Sequence, residues 1–245
     1  MFLIPSISWE VRKISKKGKG VFAKKEIPPG TLIGDYLGKI YNTKDIDTEA
    51  SKFYDMEWDE TYSIIPDSRV LDIHLINHSC VPNCAMYPYK GHTLYFALRR
   101  IFSGEELTIM YMIGTPENET KSCKDTCYCK SLLCRGTMHN PRIYNKRYNK
   151  LENINSSDYM KRLPVPVGSM LPQLRKYPKV IEDFSLYDIF GSNIKKPHQL
   201  NVSNMLSVSQ LRKLIREKGR QISIPALRIN IYGIMNGLIV CASLK

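Results

Sequence analysis

Eight consecutive residues, Asn77-His78-Ser79-Cys80-Val81-Pro82-Asn83-Cys84, set amide, imidazole, hydroxyl and thiol side chains side by side on a stretch that Pro82 helps to turn. An Asn-His pair can hold a small polar molecule, and a thiol two residues later can ligate a metal if other thiols come near. Four such thiols, Cys123, Cys127, Cys129 and Cys134, crowd into twelve positions of a chain with seven Cys in all. An odd count concentrated in one place fits a metal cluster in a reducing compartment better than a disulfide framework. A third candidate is Lys16-Lys17-Gly18-Lys19-Gly20-Val21-Phe22-Ala23, whose glycines let a backbone pass close to a ligand. No helical pattern follows it, which argues against a dinucleotide fingerprint. A cysteine-protease pairing of Cys80 with His78 is disfavoured as well, because neighbours on one turn seldom give the thiol-to-imidazole geometry of nucleophilic attack.

The elements that must position these groups read as short strands and tight turns. Apolar alternation from Trp9 to Ile40, broken at Gly and Pro, predicts several strands, with Pro28-Pro29-Gly30 turning into Thr31-Leu32-Ile33 and a strand over Asp35 to Ile40. The charged residues 43 to 57 suggest a short helix, and Trp58 to Ile65 another strand. After the Asn-His turn, the apolar and aromatic run Thr93 to Leu98 predicts a buried strand, and Gly104-Glu105-Glu106 a turn into one more.

In this order the motifs resemble those of the SET-domain protein lysine methyltransferases. Four pieces carry the resemblance: Gly18-Lys19-Gly20-Val21-Phe22-Ala23; Asp35-Tyr36-Leu37-Gly38; the Asn77-to-Cys84 stretch; and Gly104-Glu105-Glu106-Leu107-Thr108 with Tyr111. A fifth, Cys127-Tyr128-Cys129-Lys130-Ser131-Leu132-Leu133-Cys134-Arg135-Gly136, is similar to the post-SET segment of chromatin-directed members. The resemblance covers roughly residues 9 to 139. It implies an α+β, mostly β SET fold of small sheets around a knot-like crossing of the Asn-His and Tyr111 segments, over 1–115, followed by a zinc-binding segment over 116–139.

The resemblance further implies S-adenosylmethionine held near Gly18, Lys19, Gly20, Asn77 and His78, and a target lysine entering a narrow channel from the opposite face. Tyr111 would supply the active-site hydroxyl, with Tyr36 and Tyr62 as channel walls. A lysine ammonium has no lone pair and must lose a proton before attacking a sulfonium methyl, which an apolar channel and the nearby sulfonium charge both favour. Zn²⁺ would take Cys127, Cys129 and Cys134, with the family pattern drawing its fourth ligand from Cys80; Cys123 competes by proximity. Two residues depart from the pattern: His74 stands where many members carry Arg, and Met110 where an Asp commonly precedes the tyrosine. They motivate an alternative, a non-catalytic chromatin-binding or scaffold protein with a degenerate SET fold. The expected partner is a histone tail or another protein lysine, and the expected place a nucleus, its own or a host's, with the cytoplasm as the alternative.

Charge divides the chain. Residues 1 to 139 hold 18 Lys and Arg against 17 Asp and Glu, whereas residues 140 to 245 hold 18 against 6. That basic excess points to nucleic-acid or nucleosome contact through 140–245. Residues 140 to 178 read as linker and irregular structure, with an extended piece at Pro164 to Gly168. The rest of this region is predicted to be largely helical: Lys179 to Phe190, Ser209 to Lys218 with Leu211, Leu214 and Ile215 on one face, and a helix from near Pro225. Leu206 to Ile234 is weakly similar to SAP-type DNA-binding modules. Met1 to Pro5 has no basic residue ahead of its apolar run, which argues against a secretory leader. The run Ile229 to Leu244 is interrupted by Asn230 and Asn236, which argues against a membrane span.

Overall fold

The computed structural model describes residues 1–46, 54–58, 61–111, 113, 125–130, 134–139 and 165–180, and the strands within 201–243. The alternating stretch after Trp9 begins as a hairpin: β1 (Trp9–Ile14) pairs antiparallel with β2 (Gly18–Ala23), from Trp9 opposite Ala23 to Ile14 opposite Gly18. Val21 and Ala23 point into the core with no exposed surface. The turn is tight, with Gly18 at φ 76° and Lys16 at φ 68°; Gly18 adopts that conformation at no steric cost.

The strand expected over Asp35 to Ile40 is instead two, β3 (Leu32–Asp35) and β4 (Lys39–Asn42). The chain breaks at Tyr36 to Gly38 because Gly38 runs against the Ile65 carbonyl, which occupies the place a Cβ would take. Of the helix expected over 43 to 57, the described residues show a single 3-10 turn at Thr43–Asp45, capped by the Asn42 side chain, and then β5 (Met56–Glu57). Asn42 ends the local regularity by accepting the Lys44 amide. Next come β6 (Tyr62–Ile65), β7 (Asn77–His78), β8 (Cys84–Tyr89), β9 (His92–Ala97) and β10 (Thr108–Ile109).

These strands form small sheets in the orders β4-β6-β5 and β3-β9-β8, besides the hairpin and the pair β10-β7. The last pair is parallel, Thr108 opposite Asn77 and Ile109 opposite His78, and it is where the segments of the Asn-His turn and of Tyr111 meet. Val21, Ile33, Ile40, Ile64, Ile76 and Leu107 join the sheets in one apolar cluster. A mostly β architecture of small sheets, as the resemblance implies, is built from short strands, none longer than six residues up to β10.

A buried polar network fastens the turn to the strand beyond it. Asn83 is 1% exposed; its Nδ2 donates to Glu105 Oε1 (3.0 Å) and to the Glu106 carbonyl (2.8 Å), while its Oδ1 accepts the Thr108 amide (2.8 Å). Glu105 in turn receives both terminal nitrogens of Arg99 and the Phe102 amide. Both members of that ion pair are buried, so each depends on the other and on these hydrogen bonds.

Residues 165–180 carry no regular secondary structure but lie against the sheets. The Ile40 amide donates to the Ser169 carbonyl, the Gly168 amide to the Ile40 carbonyl and the Leu171 amide to the Gly38 carbonyl, and Leu171 is 2% exposed. Beyond residue 200, β11 (Asn201–Ser207), β12 (Ile229–Met235) and β13 (Leu238–Ser243) form an antiparallel sheet in the order β11-β13-β12. The helix expected at Ser209 to Lys218 and the start of the one near Pro225 lie outside the described residues. Of Lys179 to Phe190 only Lys179 and Val180 are described, and they are extended beside Leu32 and Thr31. Ile229 to Ile234, inside the segment compared with SAP-type modules, is strand. No helix among the described residues is long and apolar enough to cross a membrane.

Candidate active site and metal centre

Asn77 is placed by β7 so that its side-chain amide reaches back to the hairpin: Nδ2 donates to the Lys19 carbonyl (2.8 Å) and to Glu106 Oε1 (3.0 Å). Lys17 Nζ closes on the same carboxylate at 2.7 and 2.6 Å. Gly20 makes this approach feasible, since a Cβ there would sit 2.7 Å from Asn77 Nδ2 and 3.0 Å from Glu106 Oε1. The two glycines thus have different causes, a turn conformation at Gly18 and the seat of the Asn77 amide at Gly20. Gly18, Lys19, Gly20 and Asn77 are brought together on one edge.

His78 is 4% exposed and is engaged at both ring nitrogens. Nδ1 accepts the Tyr111 amide (3.0 Å), which assigns the proton of the neutral ring to Nε2, 3.6 Å from Cys80 Sγ. Burial holds its pKa down at about 4, so the ring is uncharged at neutral pH. With both nitrogens occupied within the protein, any ligand contact by His78 falls to its backbone. The expectation that turn neighbours would not bring thiol and imidazole together fails on distance. The protease reading fails instead on surroundings: Cys80 Sγ stands in a group of four converging thiols, 3.7 Å from Cys127 Sγ, a donor set suited to a metal ion and not to nucleophilic attack.

The tyrosines gather around one that the sequence reading passed over. Tyr111 Oη donates to the Ile76 carbonyl (3.1 Å), and its ring meets His78 edge-on. Tyr36 Oη donates to the carbonyl of Tyr54, and its ring lies 6.1 Å from that of Tyr95. Burial first, then the neighbouring phenol, raises the pKa of both: Tyr111 beside Tyr36, and Tyr54 beside Tyr111. Both hydroxyls therefore remain neutral at physiological pH and serve as hydrogen-bonding groups, not bases. Tyr54 also meets His74 edge-on at 4.9 Å. Nothing in the charged stretch around it marked Tyr54, an aromatic without periodic neighbours. Tyr62, expected as a channel wall, sits on β6, half-buried against the core cluster.

Cys80, Cys127, Cys129 and Cys134 converge with all four Sγ atoms within 4.8 Å of one another. Around a tetrahedral ion with Zn–S bonds of about 2.3 Å, neighbouring sulfurs stand about 3.8 Å apart, and Cys80 and Cys127 are at 3.7 Å. The Arg135 and Gly136 amides donate to Cys80 and Cys134 Sγ, each at 3.4 Å, as suits sulfurs that carry negative charge. Burial pushes the Cys127 thiol up to about 12, so thiolates here require a cation, and the donor set fits zinc. Cys123, the competing ligand, lies outside the described residues. The backbone supports the cluster with a small closed loop, in which the Cys127 amide donates to the Gly136 carbonyl and the Met138 amide to the Asp125 carbonyl.

Residues 18–112 match the family model described as the SET domain. The chain carries a SET domain. Its curated relatives include human histone-lysine N-methyltransferase 2B, 35% identical over 130 residues, or 48% of this chain and 5% of that protein. The H3 lysine-36 specific histone-lysine N-methyltransferase of Mycosarcoma maydis is 30% identical over 142 residues, or 53% of this chain and 14% of that protein. A solved structure, KRYPTONITE in complex with mCHH DNA, H3(1-15) peptide and SAH, is 28% identical and covers 54% of this chain and 29% of that one at a TM-score of 0.44. The chain spans only 3 to 14% of the length of the curated relatives it matches. Within the SET domain, the matched span contains the Gly18–Gly20 edge, Asn77, His78 and Tyr111, while three of the four cysteines lie beyond it.

Proposed function

We propose that this chain is an S-adenosylmethionine-dependent protein lysine methyltransferase acting on histone tails, working in a nucleus and stabilised by one zinc ion on Cys80, Cys127, Cys129 and Cys134. The observation that carries the reading is the joining of a SET domain to a buried group of neutral phenols: Tyr36 and Tyr111 are buried within electrostatic reach of one another and keep their protons. S-adenosylmethionine supplies an electrophilic methyl on a sulfonium. The protein's own part is to hold a lysine amine in line with it. The Lys19 and Asn77 edge provides the polar seat for the cofactor, and Tyr111, anchored at both its amide and its hydroxyl, provides a fixed hydrogen-bonding oxygen for the amine. Walls of this kind disfavour the ammonium form, so the proton leaves to solvent before the nitrogen lone pair attacks. Zinc fits as a structural clamp, because it joins the Asn-His turn to the downstream segment and leaves no open position.

The named relatives include more than one kind of histone-lysine methyltransferase, one being specific for H3 lysine 36, so the choice of lysine is left to experiment. Radiolabelled methyl transfer from S-adenosylmethionine onto core histones, nucleosomes and a histone peptide array tests the proposal, and lysine-specific incorporation is expected. One feature favours a competing, non-catalytic chromatin-binding reading: His74 is 5% exposed and neither ring nitrogen has a hydrogen-bond partner among the described residues. Cofactor binding without any methyl transfer would establish that alternative.

A further inference from the structure

We infer that residues 165–180 belong to the catalytic unit, and that Tyr177, acting through Asp35, is a positioning residue for Tyr36; the inference rests on the methyl-transfer reading above. The segment meets the stretch 31–40 on both sides of Tyr36. Upstream, the Lys179 carbonyl accepts the Leu32 amide (3.5 Å), and Val180 bridges to Thr31. Downstream, Gly168, Ser169 and Leu171 exchange backbone hydrogen bonds with Ile40 and Gly38 at 2.7 to 3.0 Å. Between these clamps, Tyr177 Oη donates to Asp35 Oδ2 at 2.7 Å, and itself accepts the Leu174 amide at 3.1 Å.

Asp35 has no exposed surface, and its carboxylate depends on few donors. His92 Nδ1 lies 2.8 Å from the same Oδ2, and the His92 side chain is also fully buried. Asp35 Oδ1 has no partner among the described residues. Tyr177 and His92 are thus the carboxylate's donors there, and one of them is delivered by the docked segment. A buried charge that loses a donor moves or rearranges to recover one.

Asp35 is the last residue of β3 and Lys39 the first of β4, so Tyr36 stands in the break, where ladder pairing no longer holds the backbone. The Tyr36 amide has one backbone bond, to the Thr93 carbonyl (3.0 Å), and its hydroxyl reaches the Tyr54 carbonyl. The direction of that phenol is therefore set largely by where the chain stands at Asp35 and at Gly38; Met1 and β9 hold the Asp35 backbone, and the docked segment holds its side chain and the Gly38 carbonyl.

The test is the full-length Tyr177→Phe variant, which keeps the ring and removes only the donor. Two measurements are made: steady-state methyl transfer to the best histone peptide, and amide hydrogen exchange over residues 35–40. We expect kcat to fall roughly ten- to hundredfold, as for a small misplacement of a wall group, while the calorimetric Kd for S-adenosylmethionine changes less than about twofold. Exchange at residues 36–40 should quicken while β8 and β9 keep their protection. Unchanged kcat, or unchanged exchange at 36–40, overturns the inference. So does equal loss of cofactor affinity and of protection across all strands, which marks general destabilisation. If the wild-type protein transfers no methyl group to any substrate, the functional proposal fails by itself, and the inference fails with it as a statement about catalysis. The exchange measurement then still decides whether Tyr177 holds the Tyr36 backbone.

Discussion

The strand-built part up to Tyr111 and the small segment 125–139 are held together by different means. In the first, Val21, Ile33, Ile64 and Leu107 are buried in a shared cluster, and Asn83, Glu105 and Arg99 are joined in a buried polar network. In the second, Cys127 and His139 are the buried residues among the described ones, while Tyr128 is 42% exposed. A stretch of that size cannot remove enough apolar surface from water to offset its conformational entropy. Four converging thiols take the place of a core. The contrast teaches where each region is vulnerable: the strand part to cavities and broken polar pairs and, on the zinc proposal, the segment to loss of its cation. His78 links the two, with Nδ1 on the Tyr111 amide and Nε2 beside Cys80 Sγ.

The sharpest way to break the comparison is to remove the metal. Elemental analysis of active protein should give one zinc per chain, and Cys129→Ser or a strong chelator should abolish methyl transfer together with the zinc. Binding of structural zinc is worth on the order of 10 kcal/mol in small domains, whereas the far-UV circular dichroism of the strand part should hardly change. Active protein without metal would remove the distinction. Next in size, Tyr111→Phe and Asn77→Ala should each lower transfer on the order of a hundredfold or more, with folding and zinc content retained. Wild-type-like turnover in both would end the assignment of the site.

Arg99→Leu probes the other side of the contrast. It leaves Glu105 buried without its partner and should destabilise the strand part by about 3–5 kcal/mol, read from denaturant unfolding, without altering zinc stoichiometry in the folded fraction. A smaller effect is expected from truncation. A chain ending after residue 139 lacks the buried Leu171 and should lose about 2–3 kcal/mol, whereas one ending after 180 should keep its melting temperature and its activity on free peptide. The chain ending after 180 should still lose activity on nucleosomes, most at low salt, because the basic remainder follows a log-log salt slope of about −0.9 per phosphate contact on duplex DNA. Equal nucleosome activity with and without 181–245 would refute an anchoring role for 181–245 and leave any such role to the basic residues of 140–180.

The mildest prediction concerns product degree. The resemblance places at Ile109 the position where members that stop at one methyl often carry a tyrosine, and Ile109 is 3% exposed beside the Tyr111 segment. Mass spectrometry at long times should therefore show di- and trimethyl product, and monomethyl product alone would assign the gating to another residue.

Motif order, cysteine spacing and the charge imbalance were legible in the chain because each is a local pattern. Gly18 needs its turn, Cys127, Cys129 and Cys134 sit within one short loop, and the β9 run announces burial by composition. Asp35 to Ile40 was less legible, since only the approach of Ile65 to Gly38 reveals the break between β3 and β4. The amino-acid sequence by itself determined the turn of the first hairpin, the buried run of β9 and which residue types stand together on the Asn-His turn. Tertiary structure alone decided that Gly20 seats Asn77, that the Tyr54 carbonyl takes the Tyr36 hydroxyl, and that Tyr177 reaches Asp35 from 142 residues away. The physical reason is that periodicity and turn chemistry record a residue's relation to its chain neighbours. Contacts between irregular segments have no period, and they are settled by which buried groups still need a partner once the strands have packed.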